Sequence, residues 1–460
     1  MRTGNKELIS NGMSFKTKDK NSAIILYIML ITSILLMILT FMYFKFSTTN
    51  GITFDNGDTY ITLNGPWKFK TGDNQQWAVP NFNDSEWEIV DLTAPPGARD
   101  GDVGISGYVP GWTGKGHPDY SGYAWYRMKV SIENLDEKKL FLLAPSAVDD
   151  AYQIYINGEL LASAGDFFDA PPTAYSIQPR MFLLPESVKK ENNITIAFRV
   201  WMSAATLGQL PDLGGIHVAP MIGEKSKIES IYKLQWQQTI KGYIVEVVLP
   251  LIFILLAITM FLLHEKKRLT HSCKWFIIVL VLLAMVRLNQ AVYYWFQIES
   301  AHQFDIVTTV ILMPLILGSW LMAWWKWYDL KKPKWVPKII LILILSYLVS
   351  QLLGLSWISK SINHTLFLTI VDYTRLLFIM LMLSIIYRAI LKHGLRDWIT
   401  LLATVLVSIG IFSKEVSALH IPGIWFPYGV GVSRTQYVYA AFVVLMYIIL
   451  LQKSRKTLSE

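Results

Sequence analysis

The sequence predicts a membrane protein in two parts: an extracellular all-β sandwich of jelly-roll type and an all-α transmembrane bundle. One N-terminal anchor helix precedes the sandwich and seven C-terminal helices follow it. Three observations carry that prediction. Apolar runs occur once near the amino terminus and then seven times in the carboxy-terminal half. A polar block, residues 46–240, separates them and has strand chemistry almost throughout. Basic residues crowd alternate loops.

A helical span needs about 20 apolar residues. The runs at 22–44, 242–263, 275–296, 306–328, 338–358, 365–387, 397–413 and 436–452 meet or approach that length, with 397–413 the shortest. The first run is longer than the ~7–15-residue core of a secretory signal, and no small-x-small site precedes Phe46, so a retained signal anchor is expected. Arg2, Lys6, Lys16, Lys18 and Lys20 fill the amino tail. Lys266, Lys267 and Arg268, then Lys331, Lys332 and Lys334, then Arg388, Lys392 and Arg396 fill every second loop, and Lys453, Arg455 and Lys456 end the chain. The intervening short loops hold only Lys360, Lys414 and Arg434. The positive-inside rule then puts both termini in the cytoplasm and residues 46–240 outside. The expected division is a tail at 1–21, the anchor at 22–44, the sandwich at 46–224, a linker helix at 225–241, the bundle at 242–452 and a tail at 453–460.

The chain carries a net charge of +8. The outer block is acidic and the remainder strongly basic, so the charge follows topology and contact with anionic headgroups. Nucleic acid is not an expected partner. The single cysteine, Cys273, falls in an expected cytoplasmic loop. With no disulfide available, the outer block must be held by a core. No cofactor or metal motif is evident. Asp166 and Asp169 lie at a spacing that does not define a calcium loop.

In the outer block, Tyr60–Leu63, Ala124–Ile132, Leu140–Leu143, Tyr152–Ile156 and Ile194–Trp201 are β-branched and aromatic, several alternating with polar residues. Turn residues separate them, and Asn157-Gly158 predicts a two-residue hairpin. Many short strands without helical runs mean a sandwich. Residues 225–241 instead predict an amphipathic helix with Ile228, Ile231, Leu234 and Trp236 as its apolar members. That helix either couples the outer domain to the bundle or serves as an interfacial linker.

The run LNGPWKFKTGDNQQWAVPNFNDSEWEIV at 63–90 resembles the opening of the jelly-roll, galactose-binding-like domains attached to family 2 glycoside hydrolases. GYAWYR at 122–127 and VDDAYQIYINGELLASAG at 148–165 resemble two further segments, in the same order. A domain of this kind followed by seven spans resembles the bacterial seven-transmembrane receptors with diverse intracellular signalling modules, over residues 60–452. The resemblance implies a receptor in the bacterial cytoplasmic membrane, non-catalytic in its outer domain, so the chain is not expected to be an enzyme. Members usually continue into a cytoplasmic effector. Here the sequence stops shortly after its last run, which implies output through a separate cytoplasmic signalling protein.

Candidate ligand contacts lie in 108–127 and just after. Sugars are bound by aromatic faces and planar polar groups converging in a concavity. Trp112, His117, Asp119 and Tyr120 occupy a Gly/Pro-rich segment, Trp125 and Arg127 share one strand face, and Asp149 precedes the next strand. Trp125 is equally a core residue in this pattern, and Arg127 has Asp149 and Asp150 as expected partners. Asp149 and Asp150 are neighbours on one strand, so they are expected to point to opposite faces. Phe167, Phe168 and Asp169 form a second exposed cluster, while Trp67, Trp77 and Trp87 are expected to be structural.

Charges inside spans are costly and so informative. Asp372 and Arg375 sit at i,i+3, and with Arg287 and Asn289 they form a candidate polar cluster at one depth. It would act as a switchable lock or as a fixed pair setting helix register. Glu246 sits nearer the outer face. The last outer loop, with His420, Trp425, Phe426 and Tyr428, is a candidate docking surface. Scattered histidines and the lack of broken, repeated helices disfavour an intramembrane hydrolase or a transporter.

Overall fold

The computed structural model describes residues 24–39, 60–100, 103–131, 139–190, 193–207, 212–265, 273–358, 363–412, 415 and 435–459. The strand-forming runs are twelve strands: β1 (Tyr60–Thr62), β2 (Trp67–Thr71), β3 (Glu88–Val90), β4 (Gly122–Ser131), β5 (Leu140–Leu143), β6 (Val148–Asp149), β7 (Ala151–Ile156), β8 (Glu159–Ala164), β9 (Met181–Leu183), β10 (Asn193–Met202), β11 (Gly215–Ile216) and β12 (Met221–Glu224). They form a six-stranded sheet, β3-β2-β4-β10-β7-β8, and a four-stranded sheet, β1-β12-β5-β9, with β11 and β6 paired apart. Every pairing is antiparallel. The β7–β8 hairpin turns at Asn157-Gly158 with φ of 50° and 88°, the left-handed pair that a tight hairpin turn demands.

Between the sheets Phe69, Tyr126, Ile154 and Phe198 meet Leu142 and Ile222 in one apolar core. Trp67 lies edge-on to Phe198 at 5.7 Å and donates its indole N–H to the Leu63 carbonyl at 2.8 Å. The far face of the larger sheet is covered too. Trp125, Tyr155 and Ala197 pack under Trp77, Phe82 and Trp87. This second layer explains why β10 is buried along nearly its whole length rather than alternating. Its Arg199 donates to both Asp73 oxygens, at 2.8 and 2.5 Å, and to Gln153 Oε1 at 2.9 Å.

Helix α1 (Ile24–Leu39) belongs to the same membrane-facing half as the carboxy-terminal helices, its Leu26 buried in their core. The expected linker is α2 (Lys225–Tyr243), two residues longer at its end than the sequence suggested. It does not hang free. Ile228 and Ile231 press on Leu143, Phe141 and Met221, covering the outer face of the four-stranded sheet. Its buried stripe continues through Gln235 and Thr239, the i+4 positions, rather than Leu234 and Trp236.

Helix α3 (Val245–Glu265) follows Ile244 directly, and the two run on as one helix of 39 residues to Leu263. Then come α4 (Cys273–Trp295), α5 (Ala301–Trp327), α6 (Val336–Leu353), α7 (His364–His393), α8 (Trp398–Ile411) and α9 (Thr435–Ser459). Helix α5 contains a π-helical stretch at Ile306–Leu312. Cys273 starts α4 and is buried rather than lying in a loop. Among the described residues five helices are long and apolar enough to cross a membrane, those of α2–α3, α4, α5, α6 and α7. Ile24–Leu39, Trp398–Ile411 and Val438–Ser454 are shorter apolar helices.

The expected polar cluster in the bundle does not form as one unit. Arg287 donates from Nη1 to both Glu246 oxygens, at 2.9 and 3.1 Å, and its guanidinium lies 5.5 Å from the Tyr439 ring. Arg375 makes a bidentate pair with Glu415, its Nη2 at 2.8 Å from Oε2. Asp372 falls on the exposed side of α7 while Arg375 is buried. Asn289 donates to the Thr308 hydroxyl at 3.2 Å. The i,i+3 spacing permitted a pairing, but acids from neighbouring segments took both arginines. The loop with His420, Trp425, Phe426 and Tyr428 lies outside the described residues.

Replacing Phe198 by Ala is expected to cost about 3–5 kcal/mol, since a fully buried aromatic is lost between two rings. Thermal and urea unfolding of the purified chain measure it. Arg287→Met should cost about 3–5 kcal/mol by leaving the Glu246 carboxylate without its guanidinium, and Glu246→Gln in the same chain should recover part of that. Equal stability of the single and double variants would contradict the pairing.

Candidate functional site

The last carbonyls of a helix have no partner within it. At the end of α4 the sandwich supplies the donors. Ser176 Oγ donates to the Tyr293 carbonyl at 2.7 Å and Gln178 Nε2 to that of Tyr294 at 3.0 Å. Gln297 returns a bond to the Ser176 carbonyl at 2.7 Å and accepts one from Arg180 at 2.6 Å. The Ala301 N–H, at the start of α5, donates to the Ala174 carbonyl at 2.9 Å. Beside this seam Tyr243 stacks on Tyr294 with ring centroids 3.9 Å apart.

The seam leaves a cavity of about 340 Å³ between the sandwich and the helices. That is within the range of small-molecule sites, roughly 300–1,000 Å³. Segments 146–150 and 174–177 of the sandwich, with Asp100, Tyr108 and His217, form one wall. Thr239 and Tyr243 of α2, Tyr293 and Tyr294 of α4 and Ala301 of α5 form the other.

Its polar groups are held firmly. Asp149 Oδ2 accepts from the Gly214 N–H at 2.9 Å and lies 2.8 Å from His217 Nε2. His217 Nδ1 lies 2.9 Å from the Val109 carbonyl. Both ring nitrogens thus face acceptors, an arrangement that the imidazolium satisfies with two N–H groups. Burial opposes that charge, but the bond and attraction to Asp149 outweigh it and hold the His217 pKa above its ordinary value. Asp149 is likewise desolvated, yet His217 and the Gly214 N–H keep its carboxyl below the ordinary value. Tyr108 stacks on His217 at 4.9 Å and donates to Asp212 at 3.1 Å.

Asp150 behaves oppositely. Burial pushes its pKa up to about 6, against the bonds that its Oδ2 accepts from the Ser203 N–H at 2.8 Å and Thr206 Oγ1 at 2.7 Å. The Ser146 hydroxyl, on a residue 7% exposed, lines the cavity with no hydrogen-bond partner among the described residues.

Of the candidate ligand contacts named in the sequence, Asp149 lines this cavity, together with its neighbour Asp150. Trp112 is 2% exposed, packs near Phe69 and donates its indole N–H to the Tyr120 carbonyl at 3.0 Å. Tyr120 accepts from the Gly72 N–H at 2.9 Å and donates to the Tyr123 carbonyl. His117 lies 3.0 Å from Glu88, and Asp119 is exposed. The hollow beside Trp112 and His117 holds only about 10 Å³, room for about one water. Trp125 is buried with Tyr155 at 5.4 Å, and its indole donates to Asp73 at 3.1 Å. Arg127 pairs with Asp84 at 3.0 Å, not with Asp149 or Asp150. Phe168 is exposed, while Phe167 lies 5.4 Å from the Arg199 guanidinium.

Asp149 and Asp150 do not point to opposite faces of a strand. Strand β6 ends at Asp149 and β7 begins at Ala151, so the alternation breaks between them and both line the cavity. The tyrosines and His217 went unmarked in the sequence. The Tyr293-Tyr294 pair at the outward end of an apolar run was the available signal.

No family model matches the chain. Over 96 residues, 21% of this chain and 11% of the relative, it is 35% identical to the β-galactosidase BoGH2A of Bacteroides ovatus. Among solved structures, a β-glucuronidase of Bacteroides uniformis is 22% identical with a TM-score of 0.26, over 36% of this chain and 18% of that one. A β-glycosidase from Bacteroides vulgatus is 20% identical with a TM-score of 0.24, over 35% and 20%. The chain therefore spans about a tenth of the curated relative. These findings correct the expectation that the chain is not an enzyme. The 96-residue match lies within a β-galactosidase, so the outer block gives no reason to set catalysis aside.

The paired groups give a pH signature with opposed signs. The contribution of His217, whose folded pKa is raised, is full below about pH 6.5 and lost as pH rises through the raised value. That of Asp149, whose pKa is lowered, is present above about pH 3.8 and lost as pH falls through the lowered value. Asp150 favours the fold below about pH 3.8, and that contribution fades as pH climbs through about 6. Thermal unfolding of Asp150→Asn should therefore gain on the parent chain across that interval. Parallel pH profiles would contradict the assignment.

Proposed function

We propose that the chain is a receptor or sensor of the bacterial cytoplasmic membrane. Its sandwich, outside the membrane, binds a carbohydrate-like ligand, and its helices relay the bound state to a separate signalling partner at the cytoplasmic face. In this reading α1 is an anchor and the later helices make seven spans, with both termini inside. The observation that carries the proposal is the double wall of the cavity, with Asp149, Asp150 and Ser146 from the sandwich and Tyr243, Tyr293 and Tyr294 from the helices. A ligand touching both walls has different contacts in each of their arrangements, which is the requirement for shifting between them. Carboxylates, a hydroxyl and aromatic rings suit a polyhydroxylated ligand. The name of the relative, a β-galactosidase, supports a sugar.

A second reading rests on one specific feature. Asp149 and Asp150 line the same cavity with pKa values moved in opposite directions, the condition that separates an ionised carboxylate from a general acid. Glycoside hydrolysis uses such a pair, so cleavage of a bound glycoside is the alternative activity of this cavity.

The deciding experiment takes the full chain in detergent through a panel of mono- and oligosaccharides by thermal shift, with Ser146→Ala alongside. A saccharide that stabilises the parent and binds at least several-fold more weakly to Ser146→Ala supports recognition in the cavity. Slowed hydrogen exchange in α3 and α4 on binding supports the relay, and unchanged exchange in the saturated protein removes it. Turnover of aryl glycosides that disappears in Asp150→Asn would favour hydrolysis instead.

A further inference from the structure

We propose that the ligand of the cavity between the sandwich and the helices carries an ammonium group, which makes it an amino sugar rather than a neutral one. The inference rests on the proposed saccharide site and names the class of saccharide. Three carboxylates line the cavity, those of Asp100, Asp149 and Asp150. Among the described residues lining it there is no lysine or arginine. The one side chain there able to carry positive charge, His217, is already bound to Asp149. Asp100 is committed to the fold, accepting from the Val103 and Ile105 N–H groups at 3.0 and 2.5 Å. Asp149 is committed to His217 and Gly214. Asp150 accepts from a neutral hydroxyl and a backbone N–H, with no cation among its partners in the described residues.

Tyrosines make up the remaining chemistry. Tyr108, Tyr175, Tyr243, Tyr293 and Tyr294 all line the cavity, so five phenol rings surround a net negative space. Aromatic rings with carboxylates form the surroundings that favour a cation, by the attraction between positive charge and ring quadrupoles. A neutral sugar gains nothing from that charge, whereas an ammonium at Asp150 restores the interactions its carboxylate loses on leaving water. Ser146 lines the cavity, and its buried hydroxyl has no hydrogen-bond partner among the described residues. The cavity volume suits a ligand of monosaccharide size.

The test measures binding of glucosamine and galactosamine, their N-acetyl derivatives, glucose, galactose and choline to the full chain in detergent by calorimetry. The result expected is binding of at least one free amine ten-fold or more tighter than both its N-acetyl and its hydroxyl counterparts. In Asp150→Asn, whose side-chain oxygen can still accept from Ser203 and Thr206, that preference should fall several-fold while the melting curve stays cooperative. Ser146→Ala removes no bond within the fold and should weaken the amine and neutral sugars alike. Equal affinity for amine and neutral sugars overturns the inference and leaves the saccharide site standing. Choline binding without any saccharide keeps the cation preference and overturns the sugar. A folded protein that binds none of these overturns both.

Discussion

The arrangement depends on how one helix end is satisfied. The α4 carbonyls at Tyr293 and Tyr294 would meet water in an isolated bundle, and here they accept from Ser176 and Gln178 of the sandwich. That exchange, with the apolar cluster of Val103, Ile105 and Val218 against Tyr243 and Tyr294, sets the distance between the two cores. The cavity follows from it. Polar contacts tie the rim on one side and Tyr243 on Tyr294 closes the other, so the walls approach without the space between them collapsing.

The electrostatics of the cavity follow the same division of labour. In the Asp149–His217 pair both ring nitrogens face acceptors, so the desolvated groups have partners. Asp150 has only neutral donors and stands where burial works against its ionised form. Two adjacent residues of one type thus differ in character because one faces a histidine and the other a hydroxyl.

Much of the architecture was legible in the chain. Apolar runs marked the helices because length and composition decide a span, and Asn157-Gly158 marked its hairpin because few residues adopt two positive φ angles. The candidate site was mostly illegible. Trp112, Trp125 and Arg127 have the composition of a sugar site, but a second apolar layer under Trp77 and Trp87 buries the face that Trp125 and Arg127 share. Alternation along a strand says which residues share a face and nothing about whether that face is covered. Arg287 and Arg375 failed for a related reason. Spacing along one helix identified Asp372 as a partner, whereas Glu246 and Glu415 arrive from segments 41 and 40 residues away. Asp149 lines the cavity because its strand ends where the alternation breaks.

The junction at Ile244 has a mechanical consequence. Helices α2 and α3 run on as a single 39-residue rod, roughly 58 Å long at 1.5 Å per residue. Its first turns are clamped to the four-stranded sheet by Ile228 and Ile231, and its apolar half is wedged among α4 and α9 through Leu249, Ile252 and Phe253. A helix gripped at both ends passes torque and tilt along its length, with its weakest points at the Ile244 turn and at Pro250 inside α3. The sandwich can therefore lean or twist against the helices only by turning the lower half of the rod with it. That ties the orientation of a domain bathed in water to the side-chain register of a helix surrounded by lipid.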